Sequence, residues 1–164
     1  MGRPPDLTDP APDDAGTVAS VVIDYDVYEL DDDPARVDRD ALWAFLSEEA
    51  YWARWRTKAD VDHQLTLAWR VVGVYSVVEG RMVGFARAVS DGVAFAYLAD
   101  LYIASEVRGR GLAKELVRVM IEQGPGVSFR WALHTADAHG LYEPFGFTRP
   151  DQTYLERPAR HRST

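Results

Sequence analysis

Hydrophobic and polar positions alternate along "VVIDYDVYEL" from Val21 onward, which predicts a half-buried strand, and the acidic "DDDPAR" ends it. Asp38 then stands where it can cap a helix that carries Leu42, Phe45 and Leu46 along one side. The next stretch, "EEAYWARWRTKADVDHQLTLAWR", continues at helical spacing and brings Tyr51, Trp52 and Trp55 close together. Three large aromatics at such spacing are either core and helix–helix packing or the lining of a ligand pocket. Two strand-like segments follow, "VVGVYSVV" and "MVGFARAV", joined through "EGR" with Gly80 in the turn, a hairpin signature. After "SDG" a long strand runs "VAFAYLADLYIA".

A helix then begins at "EVRGRGLAKEL", with Leu112, Leu116, Val117, Met120 and Ile121 on its buried stripe, and "GPG" ends it. The strand "VSFRWALH" leads into "TADAHGLYEPFGF", where Thr135 can cap a short helix that Pro144 and Gly146 cut off. A last strand is predicted over Thr153 to Glu156. The order is strand, two helices, hairpin, strand, helix, strand, helix, strand. It predicts a mixed α/β fold, one layer of sheet with helices on its faces.

At 164 residues the chain has the length of one domain, and 47% hydrophobic residues suffice for a real core. Residues 1–20 hold four of the nine prolines and almost no aliphatics, so they read as a disordered tail; residues 157–164 read as a flexible basic one. The domain is therefore expected over 21–156. A net charge of −8 argues against a nucleic-acid partner, because phosphate neutralisation needs clustered Lys and Arg. Zero cysteines remove disulfides and a thiolate nucleophile together. No apolar run approaches the roughly 20 residues that span a bilayer, and no metal cluster is predicted. A cytoplasmic protein without membrane contact is the expectation.

The informative stretch is the glycine turn. Gly109 and Gly111 sit one residue apart just before a helical pattern. Unpaired amides and the helix dipole make such a turn an anion site, to which Arg108, Arg110 and Lys114 add charge. Taken alone, it is equally an ordinary bend with solvated arginines. The P-loop spacing is missing, and Lys114 stands where a dinucleotide fingerprint has its third glycine.

Arg108-x-x-Gly111-x-Ala113 after the strand "LYIASEV", with "LYEPFGF" about thirty residues downstream, resembles the GCN5-related N-acetyltransferases (GNAT). The resemblance is good over Val71 to Phe147 and loose before. It implies a mostly antiparallel, twisted sheet of six or seven strands whose two central parallel strands, "AYLADLYI" and "FRWALH", splay into a slot. It implies acetyl-coenzyme A as donor, its pyrophosphate on the backbone of Val107, Arg108, Gly109, Arg110, Gly111, Leu112 and Ala113, with Lys114 beside it. Leu101, Tyr102 and Ile103 would pair with the pantetheine arm, the amide at or next to Leu101 polarising the acetyl carbonyl. Tyr142 would protonate the departing thiolate. Thr135 stands where many members have Asn. Whether two chains form a homodimer is not legible, though members often do.

Acetyl transfer to an amine also needs a group that takes the amine proton. Asp100 is the only charge in "VAFAYLADLYIA", and a carboxylate there must be paired or meet a ligand. Polyamine acetyltransferases of the superfamily carry a similar "YLED" strand, in which the glutamate is Ala99 here. Asp100 is thus a candidate for binding the amine, with a structural salt bridge as the other reading. Strand alternation places Leu98, Asp100 and Tyr102 on one face and Tyr97, Ala99 and Leu101 on the other. His134 and His139 are candidate bases, each with a capping or packing role as alternative. Tyr51, Trp52 and Trp55 with Asp100 suggest a small-molecule amine bearing an apolar or aromatic body. The rival from another class is a non-catalytic acyl-CoA-binding module, which would need neither Tyr142 nor an open groove.

Overall fold

The computed structural model describes residues 22–50 and 55–157. Six strands form one sheet in chain order: β1 (Val22–Tyr25), β2 (Tyr28–Asp31), β3 (Arg70–Ser76), β4 (Arg81–Ser90), β5 (Phe95–Ile103) and β6 (Arg130–Leu133). Every neighbouring pair is antiparallel except β5 and β6, which run parallel. The helices are α1 (Arg39–Glu48), α2 (Lys58–Thr66), α3 (Leu112–Glu122) and the short α4 (His139–Tyr142).

Two apolar clusters lie on the two faces of the sheet. On one, Val72, Val74, Ala86, Leu98 and Ile103 meet Leu112, Leu116, Val117 and Met120 of α3. On the other, Val71, Tyr75, Phe85 and Tyr102 meet Leu42 and Leu46 of α1 and Val61 of α2. The expected stripe on α3 is the buried one, and each such side chain contributes roughly 1.5–3 kcal/mol by leaving water. Arg70 holds the far end of α3 by donating to Val119 O, Met120 O and Gln123 O at 3.0, 2.8 and 2.7 Å, with Asp32 as its counter-ion. A buried cation there satisfies carbonyls that a helix end leaves open and opposes the negative end of the dipole.

The first and last strands differ from expectation. "VVIDYDVYEL" is a hairpin, because Asp26 turns left-handed at φ 58° and lets Tyr25 pair with Tyr28. Asp tolerates that region better than most residues, and the unbroken alternation hides the turn. Residues 153–156 are not a strand: Thr153 N and Oγ1 both donate to the Asp151 carboxylate, which curls the segment into a turn. The helical run after Glu48 is also interrupted. A capping box of Thr57 with Asp60 starts α2 afresh. At α1, Asp38 accepts from Asp40 N and Ala41 N as expected.

Two irregularities of β5 matter for the site. Its pairing with β6 ends at Leu98 opposite Leu133, while pairing with β4 continues to Ile103. The two parallel strands therefore part beyond Leu98, which is the expected splay. Against β4, Arg87 pairs with Asp100 and Ala88 with Leu98, so Ala99 is a bulge. The bulge corrects the face assignment. Leu98 packs on the α3 side, whereas Asp100 and Tyr102 lie on the α1/α2 side with Arg87 and Phe85.

Candidate active site

A short turn, Ser105–Val107, carries the chain from β5 toward α3. Gly109 and Gly111 follow in the left-handed region at φ 79° and 81°. At Gly111 the positive φ favours glycine, and a Cβ would lie 2.8 Å from the Tyr25 hydroxyl, which would have to move aside. The first bond of α3 runs from Glu115 N to Gly111 O, which leaves the amides of Leu112, Ala113 and Lys114 without intrahelical partners. They face a groove of about 450 Å³ between this turn and α4, bounded by Ile103 and Val107 on one side and Gly140 and Leu141 on the other.

Arg108 contributes less free charge than expected. Its Nε donates to Ile103 O at 2.8 Å and its Nη2 meets Glu49 at 3.2 Å, so the side chain ties the turn to β5 and to the end of α1. Arg110 and Lys114 are exposed, and the Arg110 carbonyl accepts from Tyr25 at 3.5 Å. Tyr25 and Glu49 were not legible as partners of the turn, since both lie far from it in sequence.

Beyond Leu98, no strand among the described residues lies beside the β6-facing backbone of Leu101 to Ile103. Tyr102 offers the slot only backbone, because its ring is stacked on Phe45 at 4.0 Å on the α1 side. Tyr142, 8% exposed, packs edge-on against Phe147 at 5.8 Å. Burial pushes its hydroxyl up to about 12, and among the described residues that hydroxyl has no hydrogen-bond partner. Thr135 does not line the groove; its Oγ1 accepts from Ala138 N at 3.0 Å and closes the turn before α4.

Of the two readings of Asp100, the geometry shows the ion pair. The carboxylate is 4% exposed and receives Arg56 Nη2 at 2.9 Å on one oxygen, and Arg56 Nη1 and Arg87 Nη2 at 3.1 and 2.8 Å on the other. Burial alone would raise its pKa, but hydrogen bonds from Arg56 and the charges of Arg87 and Arg56 outweigh that and hold it below the usual range. One anion between two cations leaves the cluster net positive, so it does not attract an ammonium. Trp55 is 71% exposed and lies over the Arg56 guanidinium at 5.9 Å. Tyr51 and Trp52 lie outside the described residues.

The two histidines separate. His139 is an exposed first residue of α4, three positions before Tyr142. His134 follows β6 and makes two contacts: Nδ1 with the Tyr97 hydroxyl at 2.9 Å and Nε2 with Glu156 at 2.9 Å. Tyr97, Glu156, Arg56 and Arg87 carried no sequence signal, because a bulge, an ion pair and a returning tail brought them to the site. Among the described residues, no helix is long and apolar enough to cross a membrane.

Comparison with known proteins agrees with this geometry. A protein of Gibberella zeae named as a candidate acetyltransferase is 28% identical over 111 residues, which cover 58% of this chain and 63% of that relative. The chain thus spans less than two thirds of this curated relative. A solved structure from Xanthomonas campestris pv. campestris, described as a candidate acetyltransferase of the GNAT family, superposes with a TM-score of 0.72 at 35% identity, covering 80% of this chain and 93% of the other. One from Deinococcus radiodurans shares the fold at a TM-score of 0.61 and 23% identity, covering 80% and 90%. The model of the acetyltransferase (GNAT) family matches residues 25–147, from the end of β1 to Phe147 and so well upstream of Val71. The chain belongs to the acetyltransferase (GNAT) family.

Proposed function

We infer that the protein transfers an acetyl group from acetyl-CoA to the amine of a small molecule, by direct attack in a ternary complex. The observation that carries this reading is the slot itself. Strand pairing stops at Leu98, a left-handed glycine turn with free amides lies at its outer end, and an unengaged tyrosine hydroxyl belongs to α4 beside it. When bound, acetyl-CoA supplies an acetyl thioester.

The residues divide the work. The amides of Leu112, Ala113 and Lys114 would hold the pyrophosphate at the positive end of α3, and Gly109 and Gly111 let it come close. The unpaired edge from Leu101 to Ile103 would take the pantetheine arm as an added strand, and the amide at Leu101 would donate to the acetyl oxygen. Tyr142 would give its proton to the sulfur. A phenol whose pKa is pushed up to about 12 is fully protonated at pH 7 and so holds a proton for the sulfur as the carbon–sulfur bond breaks.

The acceptor is a neutral amine on a small molecule, with Trp55 among the groups near its approach. A test is thiol release from acetyl-CoA with a panel of amines. Amine-dependent release supports the transferase; calorimetric binding of acetyl-CoA without release for any amine would make the chain an acyl-CoA-binding module.

A further inference from the structure

Resting on that reading, we propose that Tyr97 is the catalytic base-side residue of the transfer, passing the amine proton to His134, which Glu156 holds in place. Glu156 only accepts, so His134 Nε2 carries the hydrogen in the 2.9 Å contact between them. Nδ1 then presents a lone pair, and Tyr97 donates to it across 2.9 Å. The chemistry of the three groups thus fixes one direction for a proton, from the phenol toward the carboxylate. The Tyr97 oxygen keeps lone pairs free for an incoming N–H.

The location fits the task. Tyr97 pairs with Ala132 one rung before the last, Leu98 with Leu133, and His134 is the next residue, so the contact bridges β5 and β6 at the apex of the splay. The amide at Leu101 lies three residues further along β5, on the unpaired stretch that begins at this apex. The bulge at Ala99 places Tyr97 on the α1/α2 side, within the field of Asp100. The groove of the glycine turn opens on the α3 and α4 side, so this opposite face is the one left for an acceptor.

In the step, the amine nitrogen bonds to the acetyl carbon while its proton moves to Tyr97 Oη and the Tyr97 proton moves to His134 Nδ1. The carbon–sulfur bond breaks, and sulfur takes the Tyr142 proton. The products are an amide and a thiol. His134, with a side chain 54% exposed, returns its proton to water, and Tyr142 regains one from water. Burial, then the charge of Glu156, with smaller effects of Tyr154 and Asp100, push the Tyr97 hydroxyl up, so it rests protonated and moves protons only in concert. The charged or titratable groups around the relay are Glu156 and Tyr154 from the C-terminal segment and Asp100 on β5, itself bound to Arg56 and Arg87.

The test is kcat and KM for amine-dependent thiol release by wild type, Tyr97→Phe, His134→Gln and Glu156→Gln, with acetyl-CoA binding measured by calorimetry. Tyr97→Phe should lose about 10²-fold in kcat at unchanged acetyl-CoA affinity. His134→Gln should lose a similar factor in kcat at unchanged KM for the amine, and Glu156→Gln a smaller one, because the imidazole keeps its place in the relay but is less firmly held. Wild-type turnover with Tyr97→Phe and His134→Gln matching it in kcat would overturn the relay alone. No amine-dependent release by the wild type would overturn the transferase reading and the relay with it.

Discussion

Asp100 and Arg56 meet through two guanidinium nitrogens, and Arg87 closes on the same carboxylate from β4. The pair sits where β5 bulges, between the sheet and the segment leading into α2. It therefore fastens the α1/α2 face to the strand that builds the slot. Asp100→Ala leaves two buried guanidinium groups without their anion, and breaking such a pair costs about 3–5 kcal/mol. Urea unfolding should report that loss, and a change under 1 kcal/mol would show that the cluster is not structural.

The same carboxylate makes stability depend on acid. Its folded pKa is depressed, so its contribution is complete above its unfolded value near 3.9 and is lost as pH falls through the folded one. Unfolding free energies measured from pH 6 down to pH 2 should therefore fall more steeply for the wild type than for Asp100→Asn, once other carboxylates are common to both.

Much of this architecture was legible in the chain. The stripe on α3, the Gly80 hairpin and the Asp38 cap follow from spacing and local chemistry, and the arginine–glycine turn with "LYEPFGF" pointed to the family. What escaped depends on tertiary arrangement. Nothing at Asp26 marks a turn in an alternating run, nothing in "AYLAD" marks the bulge that reverses Tyr97 and Leu98, and the partners of Asp100 lie 44 and 13 residues away. The role of Arg108 as a tie between β5 and α1 is of the same kind.

A side chain at Gly111 should be destabilising. Gly111→Ala forces a left-handed alanine and crowds Tyr25, at a cost of about 1–2 kcal/mol from the backbone alone. Adding Tyr25→Phe removes the hydroxyl but not the strained φ, so the double variant should recover only part of the loss in thermal unfolding. Gly111→Asp adds a negative charge at the turn and should weaken acetyl-CoA binding at least tenfold by calorimetry, since it opposes both dipole and ligand charge.

Tyr142 should remain a competent acid far into the alkaline range. With its hydroxyl pushed up to about 12 by burial, the protonated fraction stays near one through pH 10. A kcat profile for thiol release should then show no tyrosine-dependent decline between pH 7 and 10. A fall in kcat across that range that disappears in Tyr142→Phe would place its ionisation lower.

The most direct test of acetyl transfer in this slot is the single substitution Tyr142→Phe, followed by amine-dependent thiol release alongside acetyl-CoA affinity and unfolding midpoint. The ring still packs on Phe147 and only the donor is removed. Turnover should fall by roughly 10²–10³-fold while affinity and midpoint barely change. Undiminished turnover, with an acceptor for which the wild type is limited by chemistry, would contradict the assignment of Tyr142 as the acid.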